Sequence, residues 1–177
     1  MGQTRFASGR PLDVVCLGRL GVDLYAQQVG ARLEDVSSFA KYLGGSSANI
    51  AFGTARLGVK SAMLTRVGND HGGRFLVESL AREGCDVSGI KVDAERLTAM
   101  VVLGIKDRET FPLVFYRENC ADMALSADDI SEAQIASSKA LLITGTHFST
   151  DQVFKASSQA LDYAEKHNVK RVLDIDY

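Results

Sequence analysis

Short apolar runs alternate with stretches of helical period along most of this chain, and that rhythm constrains its fold more than any single motif. "DVVCL" (Asp13 to Leu17) reads as a buried strand ending at Gly18, and "SAMLTRV" (Ser61 to Val67), "ALLIT" and Arg171 to Ile175 read the same way. Helices are predicted between them. Ser47 to Leu57 carries Ala48, Ala51 and Ala55 on one small face and stops at Gly58; Gly72 to Glu83 turns Phe75, Leu76 and Leu80 inward, with Gly84 just past its end. Asp151 to His167 is a third helix, capped by "STDQ", and "SADDISEA" opens with a capping-box pattern from Ser126 to Asp129. The expected fold is α/β, a mainly parallel sheet flanked by helices. One segment breaks the rhythm: Ala99 to Ile105 and Pro112 to Tyr116, joined by the charged "KDRET", form a hairpin signal that can stand apart from a parallel sheet.

Composition excludes several partner classes. With 46% hydrophobic residues, 177 residues are enough for a real core. The 20 basic and 22 acidic residues are well mixed, so there is neither a basic stripe for nucleic acid nor an acidic tail. No apolar run reaches the roughly 20 residues that span a bilayer, and the first residues lack a secretory apolar stretch, which predicts a cytoplasmic protein. Cys16, Cys85 and Cys120 are scattered and odd in number, as expected for reduced thiols, with Cys16 in a buried strand. The chain stops at "VLDIDY", a strand with no closing helix, and so reads as the first part, 1–177, of a longer domain.

Within that frame, "KYLGGSSANIAFGTARLG" (Lys41 to Gly58) puts two glycines, two serines and an asparagine at the mouth of a helix. Gly44 and Gly45 let backbone approach a guest with no β-carbon in the way, and free amides at a helix start attract oxygen atoms. Asn49 adds a donor and an acceptor, which suits a hydroxyl. The same turn would also serve as a plain strand-to-helix connection, with Ser46 or Ser47 capping the helix. Other motifs fail on spacing. "GGSSA" is not Gly-x-Ser-x-Gly, "LGRLGVD" lacks the third glycine of a dinucleotide fingerprint, and no Gly-Lys-Ser/Thr follows the glycines. His71, His147 and His167 fall at no metal-ligand spacing and read as surface or loop residues, so no metal site is predicted. Asp23 follows the first strand at a sheet edge where ligands of open α/β sheets bind, and could accept from two sugar hydroxyls or simply serve a turn. Arg117, after the hairpin, could fork onto a ligand carboxylate or be a solvated charge.

These pieces, "VVCLGRLGVDLY", "GGSSANIAFGTARLG" and "TRVGNDHGGRFLVESLAREGCDVSGI", together resemble the N-terminal half of the ribokinase (PfkB) family of carbohydrate kinases, in the family's order and over nearly the whole chain. Within it, "FPLVFYRENCADMAL", "LLITGTHFS" and "DIDY" are most similar to the group that phosphorylates 5-dehydro-2-deoxy-D-gluconate in inositol catabolism, with the 2-keto-3-deoxygluconate kinases next. A kinase for another sugar, or a sugar-binding module without catalysis, are the alternatives.

The resemblance implies ATP-dependent, Mg2+-assisted phosphorylation of a sugar hydroxyl. Substrate contacts carry over to Asp23, Gly44, Gly45, Asn49, Phe115 and Arg117, with Arg117 near the carboxylate of an acidic sugar, and Asp176 falls near the phosphates and magnesium of the nucleotide. Gly21 stands where members often have asparagine and Ser46 where some have lysine. The strands within about 24–43 and 99–117 would form a small β lid that also serves as a homodimer surface. The family's catalytic aspartate and glycine-rich turn belong to a later signature, Asp-Thr-x-Gly-Ala-Gly-Asp, which does not occur in these 177 residues, so no catalytic residue is assigned and the chain alone is expected to be inactive.

Overall fold

A computed structural model describes residues 6–175. In chain order the elements are β1 (Leu12–Leu17), β2 (Gly21–Ala26), β3 (Phe39–Gly44), α1 (Ser46–Arg56), β4 (Ser61–Gly68), α2 (His71–Arg82) and β5 (Ile90–Asp93). Then come β6 (Met100–Leu103), β7 (Leu113–Tyr116), α3 (Glu132–Ala136), β8 (Ser138–Thr144), α4 (Asp151–Lys166) and β9 (Lys170–Asp174). They build two sheets. The larger has five strands in the order β5-β4-β1-β8-β9, every neighbouring pair parallel, which is the predicted architecture.

Strand β1 lies at its centre, and its side chains divide the core by simple alternation. Val15 and Leu17 join Leu141, Ile143 and the α4 residues Val153, Ala156 and Ala160 on one face. Cys16 turns to the other, with Met63, Ala48 and Ala51 of α1, and Leu76 and Leu80 of α2. All of these are buried. The alanines of α1 recur every three or four residues, so the helix lies close against the sheet; Leu57 is its C-cap, and the N–H of Gly58 just beyond donates to Ala55 O at 2.8 Å. No helix among the described residues is long and apolar enough to cross a membrane.

The second sheet, β3-β2-β6-β7, contains the predicted hairpin as the antiparallel pair β6–β7, joined to β2 through a parallel β2–β6 ladder. Its first strand begins at Gly21, earlier than the Leu24 expected from the sequence. One face packs on the body: Val22, Leu24, Leu43 and Met100 belong to the core cluster of α2, and the Lys41 ammonium sits 3.9 Å from the Phe75 ring centre. All four residues of β7 are exposed.

Two capping expectations come out differently. The Ser126–Asp129 box forms, but on a single 3-10 turn, and Asp129 also receives Arg66 at 2.8 Å. Thr150 is the N-cap of α4 without any side-chain hydrogen bond, so "STDQ" does not cap it. Asp70 caps α2. Its Oδ1 accepts from Gly73 N at 2.8 Å and from the Thr98 hydroxyl at 2.9 Å, while Oδ2 accepts from Thr98 N at 2.8 Å. One carboxylate thereby closes the helix start and pins the approach to β6.

Burial opposes the charge on Asp70, but those hydrogen bonds outweigh it and hold its pKa below 3.8. A lowered carboxylate pKa stabilises the fold above the unfolded value, and that stabilisation disappears as pH falls through the folded value. Asp70→Ala is therefore expected to lower unfolding stability by about 1–2 kcal/mol at pH 7. In urea titrations the gap from the parent chain should shrink below pH 4; a gap that does not change with pH would contradict the assignment.

Candidate functional site

The site begins where β1 hands over to β2 and β3 turns into α1. Gly21 pairs with Gly44, so the start of β2 and the end of β3 lie side by side. Two close approaches then require glycine. A β-carbon on Gly44 would overlap the Asp23 carboxyl, and one on Gly45 would overlap the Arg19 carbonyl; Gly45 also has φ +98°, a conformation side chains resist. The tight turn thus exists to bring α1 against Asp23.

Asp23 and Asn49, the latter in the first turn of α1, line one cleft of about 650 Å³ together with Tyr25, Tyr42 and Gln27. The two tyrosines meet edge to face, with ring centres 5.4 Å apart. No side chain caps α1. Ser47 donates its hydroxyl hydrogen to Leu17 O at 2.9 Å and lies 2.9 Å from the Thr144 hydroxyl, so it ties the helix to the carboxyl ends of β1 and β8. The first amides of α1 are left without a side-chain acceptor, which makes this end a place for oxygen atoms.

Tyr42, Asp23, Val101 and Phe115 form one row of directly opposed residues across all four strands of the small sheet, and so share a face. Arg19 bridges this row. Its guanidinium carbon lies 5.4 Å from the Phe115 ring centre, and its charge acts on Asp23. Burial pushes the Asp23 pKa above 3.8, and Arg19 pulls it partly back. The sequence alone assigns Arg19 no role; being the one charged side chain inside the bend "LGRLG" is the signal that could have found it.

Arg117 is neither free nor solvated. Its Nε donates to Asp122 Oδ2 at 2.7 Å; Asp122 has no exposed side-chain surface and Arg117 only 18%. With Phe115, Tyr116, Met100 and Thr98 it lines a second cleft of about 590 Å³. The structure therefore gathers Asp23, Gly44, Gly45 and Asn49 tightly, and sets Phe115 in the row of Asp23 and Arg117 in the neighbouring cleft. Asp176 lies outside the described residues. His147 corrects the expectation of a surface or loop histidine: it is wholly buried, because its 3-10 turn Gly145–Phe148 tucks beneath α4. Burial, assisted by the charge of Arg117, pushes its pKa down to about 3, so the ring is neutral.

Comparison with known proteins identifies what the chain is similar to. The pattern of the pfkB family carbohydrate kinases matches residues 11–176. A 5-dehydro-2-deoxygluconokinase of Geobacillus kaustophilus is 40% identical over 173 residues, covering 97% of this chain and 52% of its own length. A PfkB protein from Polaromonas sp. JS666 superposes with a TM-score of 0.87 at 29% identity, over 94% of this chain and 56% of that one. A sugar kinase from Pyrococcus horikoshii, solved in complex with ATP, gives 0.85 at 27% identity over 93% and 53%. The chain spans about half the length of the curated relatives it matches.

Because Gly44 and Asp23 exclude each other's space, their substitutions should couple. Gly44→Ala is expected to cost about 1–3 kcal/mol of stability, and most of that cost should be recovered when Asp23→Ala is added. Additive effects in the denaturation cycle would show that the two groups do not touch.

Proposed function

We propose that this chain, which belongs to the pfkB family of carbohydrate kinases, supplies the sugar-binding part of an enzyme that phosphorylates an acidic keto-sugar, 5-dehydro-2-deoxy-D-gluconate. The observation that carries the proposal is the shared cleft of Asp23 and Asn49, built by a bend that only glycines allow. Asp23 accepts hydrogen bonds from two sugar hydroxyls. Asn49 gives one hydrogen bond and takes another, the amides at the start of α1 meet a further oxygen, and Tyr25 and Tyr42 wall the guest from water. The small sheet acts as the lid; its open β7 edge also suits contact with a second copy.

Arg117 and Phe115 receive the acidic end of the sugar, in line with the 40% identical relative named for such a substrate. The intact protein then transfers the γ-phosphoryl group of ATP to the positioned hydroxyl, with the proton taken by an aspartate beyond these 177 residues. Among the described residues no group of three or more His, Cys, Asp or Glu side chains gathers to hold a cation.

A panel of phosphoryl acceptors offered to the intact protein tests this. Turnover is expected with the keto-sugar acid, and Arg117→Ala should raise its KM at least tenfold, about 1.4 kcal/mol, while KM for ATP stays within about twofold. Turnover of neutral ketoses alone would remove the role of Arg117, and no turnover of any sugar would end the proposal. The raised pKa of Asp23 adds a pH signature: because its ionised form accepts the hydroxyls, sugar affinity should fall on acidification at a pH above 3.8. Asp23→Asn should abolish that dependence.

A further inference from the structure

Arg19 starts beside one cleft and ends beside the other. Its backbone belongs to the bend that builds the sugar cleft, for its carbonyl stands where a β-carbon of residue 45 would be. Its guanidinium carbon lies 5.4 Å from the centre of the Phe115 ring. Phe115 closes the row that runs from Tyr42 through Asp23 and Val101, so the arginine reaches from the bend before β2 to the outermost strand of the small sheet.

Phe115 lines the second cleft together with Arg117. One exposed ring therefore has a guanidinium over it and a second one two positions further along the chain, about 6.5 Å in extended backbone. The two cations are held in different ways. Arg117 spends its Nε on the buried Asp122, at 2.7 Å. The attraction of Arg19 to the ring is electrostatic and needs none of its N–H donors. Asp23 and Phe115 stand two strands apart in their row, roughly 10 Å between backbones, a span that two side chains and a six-carbon sugar acid can close.

We infer that Arg19 is a specificity-determining residue: its guanidinium, seated at Phe115, is a second forked donor for the carboxylate of the sugar acid, which it meets together with Arg117. The planar fork suits a carboxylate in a way that a point charge does not. This inference deepens the proposed function and rests on its reading of the substrate as an acidic sugar bound by its hydroxyls at Asp23 and Asn49.

The intact protein is assayed with the keto-sugar acid and with its methyl ester, which carries the same hydroxyls and no charge. The parent is expected to favour the acid in kcat/KM. Arg19→Gln should reduce that preference at least tenfold through KM for the acid, with KM for the ester and for ATP within about twofold of the parent. Arg19→Lys keeps the charge without the fork and should reduce the preference about threefold; this milder change carries the test where Arg19→Gln fails to fold. A preference left at the parent value in the variant that folds overturns the inference. An equal loss for acid and ester overturns it too, since a merely structural arginine would act on both alike. A parent that does not distinguish the acid from its ester removes the acidic-sugar reading and the inference with it, whereas a parent preference that the Arg19 variants leave intact removes the inference alone.

Discussion

Everything in this molecule is arranged around a strand whose second half has no solvent face. Val15, Cys16 and Leu17 of β1 are fully buried, and consecutive side chains point to opposite sides, so the sheet must be covered twice. Helix α4 covers one side and α1 with α2 the other. At about 1.5–3 kcal/mol for each large apolar side chain removed from water, this two-sided burial is the principal term favouring the fold. It also dictates where a site can be. The faces are occupied, and the carboxyl ends of the strands remain, which is where Gly18, Ser47 and Thr144 come together.

The second sheet gives that edge its chemistry. It packs one face on α2 and turns the row of Tyr42, Asp23, Val101 and Phe115 the other way. The joints between the two sheets are polar and short. Asp70 binds the start of α2 to Thr98, just before β6, and Arg117 with Asp122 binds the end of β7 to the turn beside α4. Directional hydrogen bonds at both ends of the hairpin fix the orientation of the small sheet in a way apolar contact alone would not.

The glycines of the bend show how local geometry shapes the cleft. With any side chain at position 44, the carboxyl of Asp23 loses its place, and with one at position 45 both the backbone angle and the Arg19 carbonyl object. The space is filled instead by functional groups of the protein itself, leaving Asp23 half withdrawn from water with Arg19 nearby. A carboxylate so placed is poorly solvated and, among the described residues, uncommitted by any hydrogen bond to a side chain.

Much of this was legible in the residues. Apolar runs and alanine spacing determine the strands, α1 and α2, because burial on a sheet imposes a period that a sequence displays directly; "KDRET" likewise marks the hairpin, and the glycine pair with Asn49 marks the cleft. What the sequence could not decide is which groups at a distance find each other. It left Arg117 between ligand contact and solvated charge, whereas the fold presents it with a buried carboxylate five residues on, and it read His147 as a surface or loop residue, whereas the packing of α4 buries it. Arg19 and Asp70 were silent for the same reason. A period is a property of neighbours along the chain, but hydrogen bonds and charges act through space, and only the packing of two sheets sets those distances.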